Sequence, residues 1–249
     1  MSDAVVKAVV GLRRYGKSTH VVNMTRGCVR IVFYDSLNDD YNQGIVCRDW
    51  QFFKRLWLAS YREYFRITFK PSNPMEYFDE FCMLAYECGN CTIVIDEVQL
   101  YFRGAWCCGS FTRLITAGGH VDVELIGVTQ APKRLGELLR SQAHEWHIFA
   151  LREDVHVKYV TDRCPGVSVD LVKTLPKYEY LHFVDGAEHY CRCKDDPLSG
   201  RTWKEVIEYE GQAVTARKES NLGPDAAPGG SLERESADGP ADVPGAQAE

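Results

Sequence analysis

Residues 6–19 read Val6-Lys-Ala-Val-Val-Gly11-Leu12-Arg13-Arg14-Tyr15-Gly16-Lys17-Ser18-Thr19. The apolar, β-branched run from Ala4 to Val10 predicts a strand, and Lys17 to Thr25 predicts a helix. Between them stands the pattern G-x-x-x-x-G-K-S, in the strand–loop–helix context where such a loop cradles phosphate. Glycines at 11 and 16 let the backbone wrap so that its N–H groups converge on phosphate oxygens. The first turn of the helix adds positive potential. Gly11, Leu12, Arg13, Arg14, Tyr15, Gly16, Lys17, Ser18 and Thr19 are therefore the expected nucleotide-binding segment. ATP is the expected ligand, with Lys17 at the β- and γ-phosphates and the Ser18 hydroxyl on Mg2+.

A second element lies some eighty residues on. Thr92-Ile-Val-Ile-Asp96-Glu97 is an apolar strand ending in two carboxylates. Asp96 is expected to hold Mg2+ through water, and Glu97 to polarise the attacking water. The strand Val123–Thr129 carries Gln130 at its tip, where an amide can orient water or sense the γ-phosphate.

Around these pieces the sequence alternates strands and helices. Further strands are expected at Val29–Tyr34, Phe65–Phe69 and His147–Leu151. Helices are expected at Trp50–Tyr64, Met75–Glu87, Phe111–Ala117 and Leu135–Gln142. Tyr178–Val184 and Glu188–Arg192, joined through Asp185-Gly186, read as a C-terminal β-hairpin. Such alternation predicts an α/β fold with a mostly parallel central sheet covered by helices on both faces.

Composition bounds the rest. A chain of 249 residues with 45% hydrophobic content can bury one full α/β core. No apolar run approaches the roughly 18 residues of a membrane span, and the N-terminus lacks the pattern of a secretory signal. A soluble protein of the cell interior is expected. The net charge of −6 excludes a uniformly basic nucleic-acid binder. The charge is uneven, however. Residues 215–249 hold Arg217, Lys218 and Arg234 against seven acids and carry −4, leaving −2 for the body. That segment, rich in Pro, Gly, Ala and Ser, is expected to be a disordered acidic tail after a domain spanning 1–214. The ten cysteines are expected to be free thiols in a reducing compartment. A zinc site from Cys88, Cys91, Cys191 and Cys193 is the alternative.

With these residues in hand, the chain resembles the HerA/FtsK superfamily of P-loop ATPases. More narrowly it resembles the genome-packaging ATPases of tailless, membrane-containing viruses. The resemblance rests on GLRRYGKS at 11–18, Tyr34-Asp35 at a strand end, FRITFKPSNPMEYFDEF and TIVIDEVQLY. Farther on come AGGHVDVELIGVTQAP, LLRSQAHEWHIFALRE and LPKYEYLHFVDG. It implies a RecA-like core that assembles as a homo-oligomeric ring, usually a hexamer, and threads double-stranded DNA through its centre. Lys17, Ser18, Asp96, Glu97 and Gln130 match the family's Walker A, Walker B and sensor positions. The family often places an arginine after a glycine before the sensor strand, acting on the neighbour's ATP. Here that position is Gly119, so Arg113 and Arg140 become the candidates for that role.

The resemblance further implies a capsid vertex or portal protein as partner. The host cytoplasm is the implied location, with virion association at the packaging vertex. Candidate DNA-contacting segments are the loop Tyr101–Gly109, with Arg103, and Lys133–Arg134. Trp106 is expected to pack beneath its loop. Three alternatives stand beside the packaging motor. They are a plasmid or cellular HerA/FtsK translocase, a phage-assembly ATPase of the zonular-occludens-toxin type, and a nucleotide-dependent binding switch.

Overall fold

The computed structural model describes residues 6–37, 41–187, 189–210 and 213–222. In chain order the elements are β1 (Val6–Val10), α1 (Lys17–Met24), β2 (Arg30–Tyr34), β3 (Ile45–Cys47), α2 (Trp50–Ser60) and β4 (Phe65–Phe69). There follow α3 (Phe78–Cys88), β5 (Cys91–Ile95), α4 (Gly109–Ala117), β6 (Val123–Thr129), α5 (Glu137–Gln142) and β7 (Ala143–Ile148). The last are α6 (Asp154–Arg163), α7 (Val169–Thr174), β8 (Glu179–Val184), β9 (His189–Asp195), β10 (Thr202–Glu210) and β11 (Ala213–Leu222).

All the strands join one sheet in the order β11-β10-β9-β8-β7-β1-β6-β5-β2-β4-β3. From β7 to β3 every pairing is parallel. From β7 to β11 every pairing is antiparallel. The sheet is thus a parallel half with an antiparallel extension.

Strand alternation sends successive side chains to opposite faces, and the core divides accordingly. Ala8, Val10, Val32, Tyr34, Ile93 and Ile95 belong to a large apolar cluster with α2–α7. Val9, Ile31, Phe33, Val94, Ile126 and Val128 belong to a smaller one with Val21 of α1. Helices cover both faces, as expected; among the described residues α1 is the one helix on the second. The thick face is strongly aromatic. Phe53 stacks on Phe69 at 4.5 Å, and Trp57 lies 5.8 Å from Phe81. Each such buried ring contributes about 1.5–3 kcal/mol from area alone. Asp49 caps α2 by accepting from the Phe52 N–H at 2.7 Å, which sets where that helix begins.

Several boundaries differ from the sequence reading. The helix expected at 50–64 ends at Ser60, because the chain turns there, with the Glu63 N–H on the Ser60 carbonyl at 2.8 Å, to enter β4. The helix expected from Met75 starts at Phe78, since Asn73 holds residues 74–76 in a turn through the Met75 and Glu76 N–H groups. The strand expected at 147–151 runs earlier, over Ala143–Ile148. Its polar residues there pack on the thin side of the sheet, so apolar content alone misplaces it. β3, α6, α7 and β10 were not expected. The boundary expected at 214/215 falls inside β11, which pairs antiparallel with β10. The tail expectation for 223–249 lies outside the described residues, as do Ala4 and Glu188, which opened two expected strands. Among the described residues, no helix is long and apolar enough to cross a membrane.

Candidate functional site

The parallel strands all end at one edge of the sheet, and the chemistry-bearing residues follow those ends. Gly11 follows β1, Asp35 follows β2, Lys70 follows β4, Asp96 follows β5 and Gln130 follows β6. Because β6 lies between β1 and β5, Gln130 emerges between the glycine loop and the acidic pair. A cavity of about 410 Å3 opens there. Arg13, Arg14, Gly16, Lys17, Ser18 and Thr19 line one side, and Asp96, Glu97 and Gln130 the other.

The loop's conformation explains its sequence. Gly16 has φ +108°, and a Cβ there would stand 2.6 Å from Tyr178 Cδ1, so only glycine fits. Arg14 also adopts a left-handed backbone, at φ +65°. α1 begins immediately after Gly16 with no capping side chain and no acid in its first turn. Its N-terminal amides and dipole therefore face the cavity without an internal anion to compete. By contrast α2 and α7 are capped by Asp49 and Ser168. Lys17 is buried and donates to the Leu12 carbonyl at 2.9 Å, folded back on its own loop.

Three members of the expected nucleotide segment are placed elsewhere. Gly11 donates its N–H to the Thr129 carbonyl at 3.2 Å, and Leu12 donates to Ala150 at 2.9 Å. Those two amides tie the loop to its neighbours instead of facing a ligand. Tyr15 does not line the cavity either. Its carbonyl accepts from the Tyr178 N–H at 2.9 Å, and its hydroxyl accepts from Arg152 at 3.2 Å.

Across the cavity, Asp96 and Glu97 are both buried carboxylates. Glu97 sits at φ +45°, a strained geometry costing on the order of 1 kcal/mol. Two amides hold its carboxylate in place: Gln130 donates to Oε1 and Gln99 to Oε2. The expected base and the expected sensor are thus joined directly. Behind them Ser36 donates to the Asp96 carbonyl at 2.8 Å and meets the Tyr101 hydroxyl at 2.6 Å. A buried Lys70–Asp35 pair at 3.2 Å sits at the neighbouring strand ends.

Sequence reasoning missed Gln99, Lys177 and Tyr178. Lys177 and Tyr178 reach the cavity from the turn before β8, and Tyr178 takes a left-handed backbone at φ +68°. The only sequence signal was a Pro-Lys-Tyr turn, and nothing in it indicates a fold back onto residue 16.

Arg113 and Arg140 lie outside this cavity. Arg113 stacks over Tyr86 at 4.0 Å, and Arg140 lies 5.3 Å from the Tyr159 ring. Arg140 instead lines a second cavity of about 600 Å3 with Lys133, Arg134, Glu137, Gly104, Ala105 and Gln99, three cations against one acid. Both segments expected near DNA, the loop after β5 and the one after β6, therefore meet in one basic hollow. Gly136 permits this approach, since a Cβ there would stand 2.2 Å from Phe102. Gln99 touches Glu97 on one side and this hollow on the other. Trp106 is 63% exposed, contrary to the expectation that it packs beneath the loop. The bridge Arg103–Trp106 closes the loop into a tight turn that leaves the indole outside.

The cysteines are all free. Burial pushes Cys88 up to about 11 and Cys91 and Cys193 up to about 12. Cys91 and Cys193 belong to β5 and β9, five inter-strand steps of about 4.8 Å apart. The four-cysteine zinc alternative is excluded by that separation.

Neither a family model nor a curated protein matches the sequence. Solved structures do match. The genome packaging NTPase B204 from Sulfolobus turreted icosahedral virus 2, in complex with sulfate, aligns at TM-score 0.61 and 16% identity over 77% of this chain and 96% of that one. The same protein in complex with AMPPCP aligns at 0.60 and 17% identity over 76% and 96%. B204, the DNA-packaging ATPase from Sulfolobus turreted icosahedral virus, aligns at 0.57 and 18% identity over 77% and 98%. The chain has the P-loop NTPase fold these proteins share.

Proposed function

We propose that this chain is an ATPase that drives double-stranded DNA translocation, and that it serves as a viral genome-packaging motor. One observation carries the hydrolytic part: Lys17 and Ser18 of the glycine loop face Asp96, Glu97 and Gln130 across a single cavity at the strand ends. The packaging part is supported by the fold shared with B204 and by the basic hollow beside the cavity.

In this reading the triphosphate lies on the first turn of α1. Its β- and γ-oxygens draw Lys17 away from the Leu12 carbonyl, exchanging a neutral acceptor for a charged one. The Ser18 hydroxyl and the buried Asp96 carboxylate form a set of hard oxygen donors, which suits Mg2+. When bound there, Mg2+ neutralises charge that develops on the transferred phosphoryl group. Glu97 takes the proton of the attacking water, oriented by the amides of Gln99 and Gln130. Gln130 also reaches the γ-phosphate, so the loss of that phosphate is felt at Glu97. Gln99 passes the change to the loop lining the basic hollow. Differential contact between ATP and ADP states then moves that loop against the DNA backbone. Phosphate contacts of this kind grip without reading sequence.

A translocase also needs a neighbour to complete each site. The chain is proposed to act as a ring, a hexamer, with Arg113 or Arg140 reaching the adjacent subunit's ATP. A capsid vertex or portal protein would be its docking partner, and the host cytoplasm and packaging vertex its place of work.

The test is ATP turnover with and without duplex DNA, alongside oligomeric state with a non-hydrolysable analogue. Turnover stimulated by DNA and assembly into a ring are expected. Nucleotide binding with neither ring formation nor DNA stimulation would overturn the motor and leave the binding switch.

A further inference from the structure

On the thin side of the sheet a row of polar side chains crosses five strands. Glu124 accepts from Thr92 at 2.9 Å and pairs with Lys7 at 2.9 Å. Lys7 also lies 3.5 Å from Glu145 Oε2. There the row meets a cluster at the seam where the parallel half joins the antiparallel extension. Glu145 and His147 belong to β7, and His182, directly opposite His147, belongs to β8.

The distances in this cluster are unusual. Glu145 Oε2 stands 3.6 Å from His147 Nε2 and 3.4 Å from His182 Nε2. Both separations exceed a charge-assisted hydrogen bond of about 2.7–2.9 Å. Both ring nitrogens are buried and have no hydrogen-bond partner. The His147 side chain is only 7% exposed. Two ligands each about 2.0–2.1 Å from a tetrahedral ion lie about 3.4 Å apart. Both N–O separations match that spacing, and the three ligand atoms all lie within 4.8 Å of one another.

The hydrogen bonds behind His147 point the same way. Asp195 Oδ2 accepts from His20 Nδ1 at 2.8 Å, and its other oxygen accepts from Thr202 at 2.8 Å. His20 Nε2 lies 3.0 Å from His147 Nδ1, and in one tautomer of the pair His20 Nε2 accepts from His147 Nδ1. In that tautomer His147 carries its proton on Nδ1, which leaves a lone pair on Nε2, buried and facing a carboxylate. A lone pair facing a carboxylate calls for a cation between them. The carboxylate–histidine–histidine chain is also the kind of outer support that orients a metal-binding imidazole. On the other side Cys191 stands opposite His182 in the β8–β9 register. Lys7 reaches Glu145 Oε2 at 3.5 Å but bonds Glu124 more closely, at 2.9 Å, so it supplies only part of that positive charge.

We propose that Glu145, His147 and His182 form a Zn2+ site that clamps β7 to β8. Two imidazole nitrogens and one carboxylate oxygen suit this borderline ion, with water on the fourth position. Glu145 and His182 remain partly exposed, at 22% and 24%, which gives the ion and that water a way in. The site is independent of the nucleotide reading.

The test uses the full chain, stripped with a chelator and free of nucleotide. Zn2+ titration is expected to show about one tight equivalent and a rise in thermal midpoint. His182→Ala and Glu145→Gln, both at partly exposed positions, are each expected to weaken uptake more than about 100-fold, and His20→Ala about 10–100-fold. Co2+ in place of Zn2+ should give ligand-field bands without thiolate charge transfer. No uptake by the unaltered chain overturns the proposal. So does uptake that survives in His182→Ala and Glu145→Gln, or a thiolate band, which would assign the ion to cysteines.

Discussion

α1 serves two regions that handle charge in opposite ways. Its first residue, Lys17, lines the cavity at the strand ends, while His20, three residues and about 4.5 Å further along the axis, supports the seam between β7 and β8. The cavity is open and built from oxygen donors and cations: Ser18, Asp96 and Glu97 with Lys17, Arg13, Arg14 and Lys177. That mixture suits a polyanion accompanied by a hard ion. The seam is more enclosed and built from imidazole nitrogens around one carboxylate. That mixture suits a softer ion held for good. The difference teaches that donor type and access, rather than the number of charges, sort what each region binds.

The comparison breaks most visibly at Glu97. Glu97→Gln keeps the shape and can keep one of the two amide contacts, but removes the base. Turnover is expected to fall by about 10²–10⁴-fold, with nucleotide affinity nearly unchanged. Steady-state hydrolysis and a fluorescent-nucleotide titration measure the two. Zn2+ uptake at the seam should not move. A variant that lost both would mean that the regions are not separate.

Lys17→Ala acts on binding. Its ammonium is expected to exchange the Leu12 carbonyl for phosphate oxygens, a charged hydrogen bond of about 1.5–3 kcal/mol. Nucleotide affinity should drop roughly 10–150-fold, read by calorimetry. Unchanged affinity would remove the phosphate from the first turn of α1.

The two regions also differ in how far the chain announces them. The glycine loop is contiguous, and the acidic pair ends an unmistakably apolar strand, so Lys17, Ser18, Asp96 and Glu97 are legible as a set. Gln130 is legible because its strand repeats the β-branched pattern. The parallel half follows from the same alternation of strands and helices. At the seam, by contrast, positions 20, 145, 147, 182 and 195 converge only because β8 turns back antiparallel beside β7. No local spacing encodes that. The polar stretch 143–147 even disguised its own strand, since half of its side chains serve the cluster rather than the core. Lys177 and Tyr178 were hidden for the same reason, as they reach the cavity by long-range packing against Gly16.

Gly16→Ala sharpens this last point. The new Cβ would meet Tyr178 at 2.6 Å on a backbone at φ +108°. A stability loss of about 1–3 kcal/mol is expected, measured by denaturant unfolding. Tyr178→Ala in the same chain should recover the steric part and leave the backbone part. Full recovery would show that the left-handed loop costs nothing.

The smallest effect concerns Gln99, the residue that neither region claims. It donates to Glu97 Oε2 but lies outside the nucleotide cavity, and it lines the basic hollow with Lys133, Arg134 and Arg140. Gln99→Leu removes one of two amides orienting the base, while Gln130 still holds the other oxygen. A loss of about 1 kcal/mol, or about fivefold in turnover, is expected, with KM for ATP unchanged. Gln130→Leu, whose side chain does line the cavity, should raise KM as well. The informative comparison is between basal and DNA-stimulated rates. If Gln99 links the base to the hollow, its loss should cut the stimulated rate more than the basal one. Equal reductions would confine it to orienting Glu97, and the route from hydrolysis to DNA would have to run through Gln130 and the loop after β6 alone.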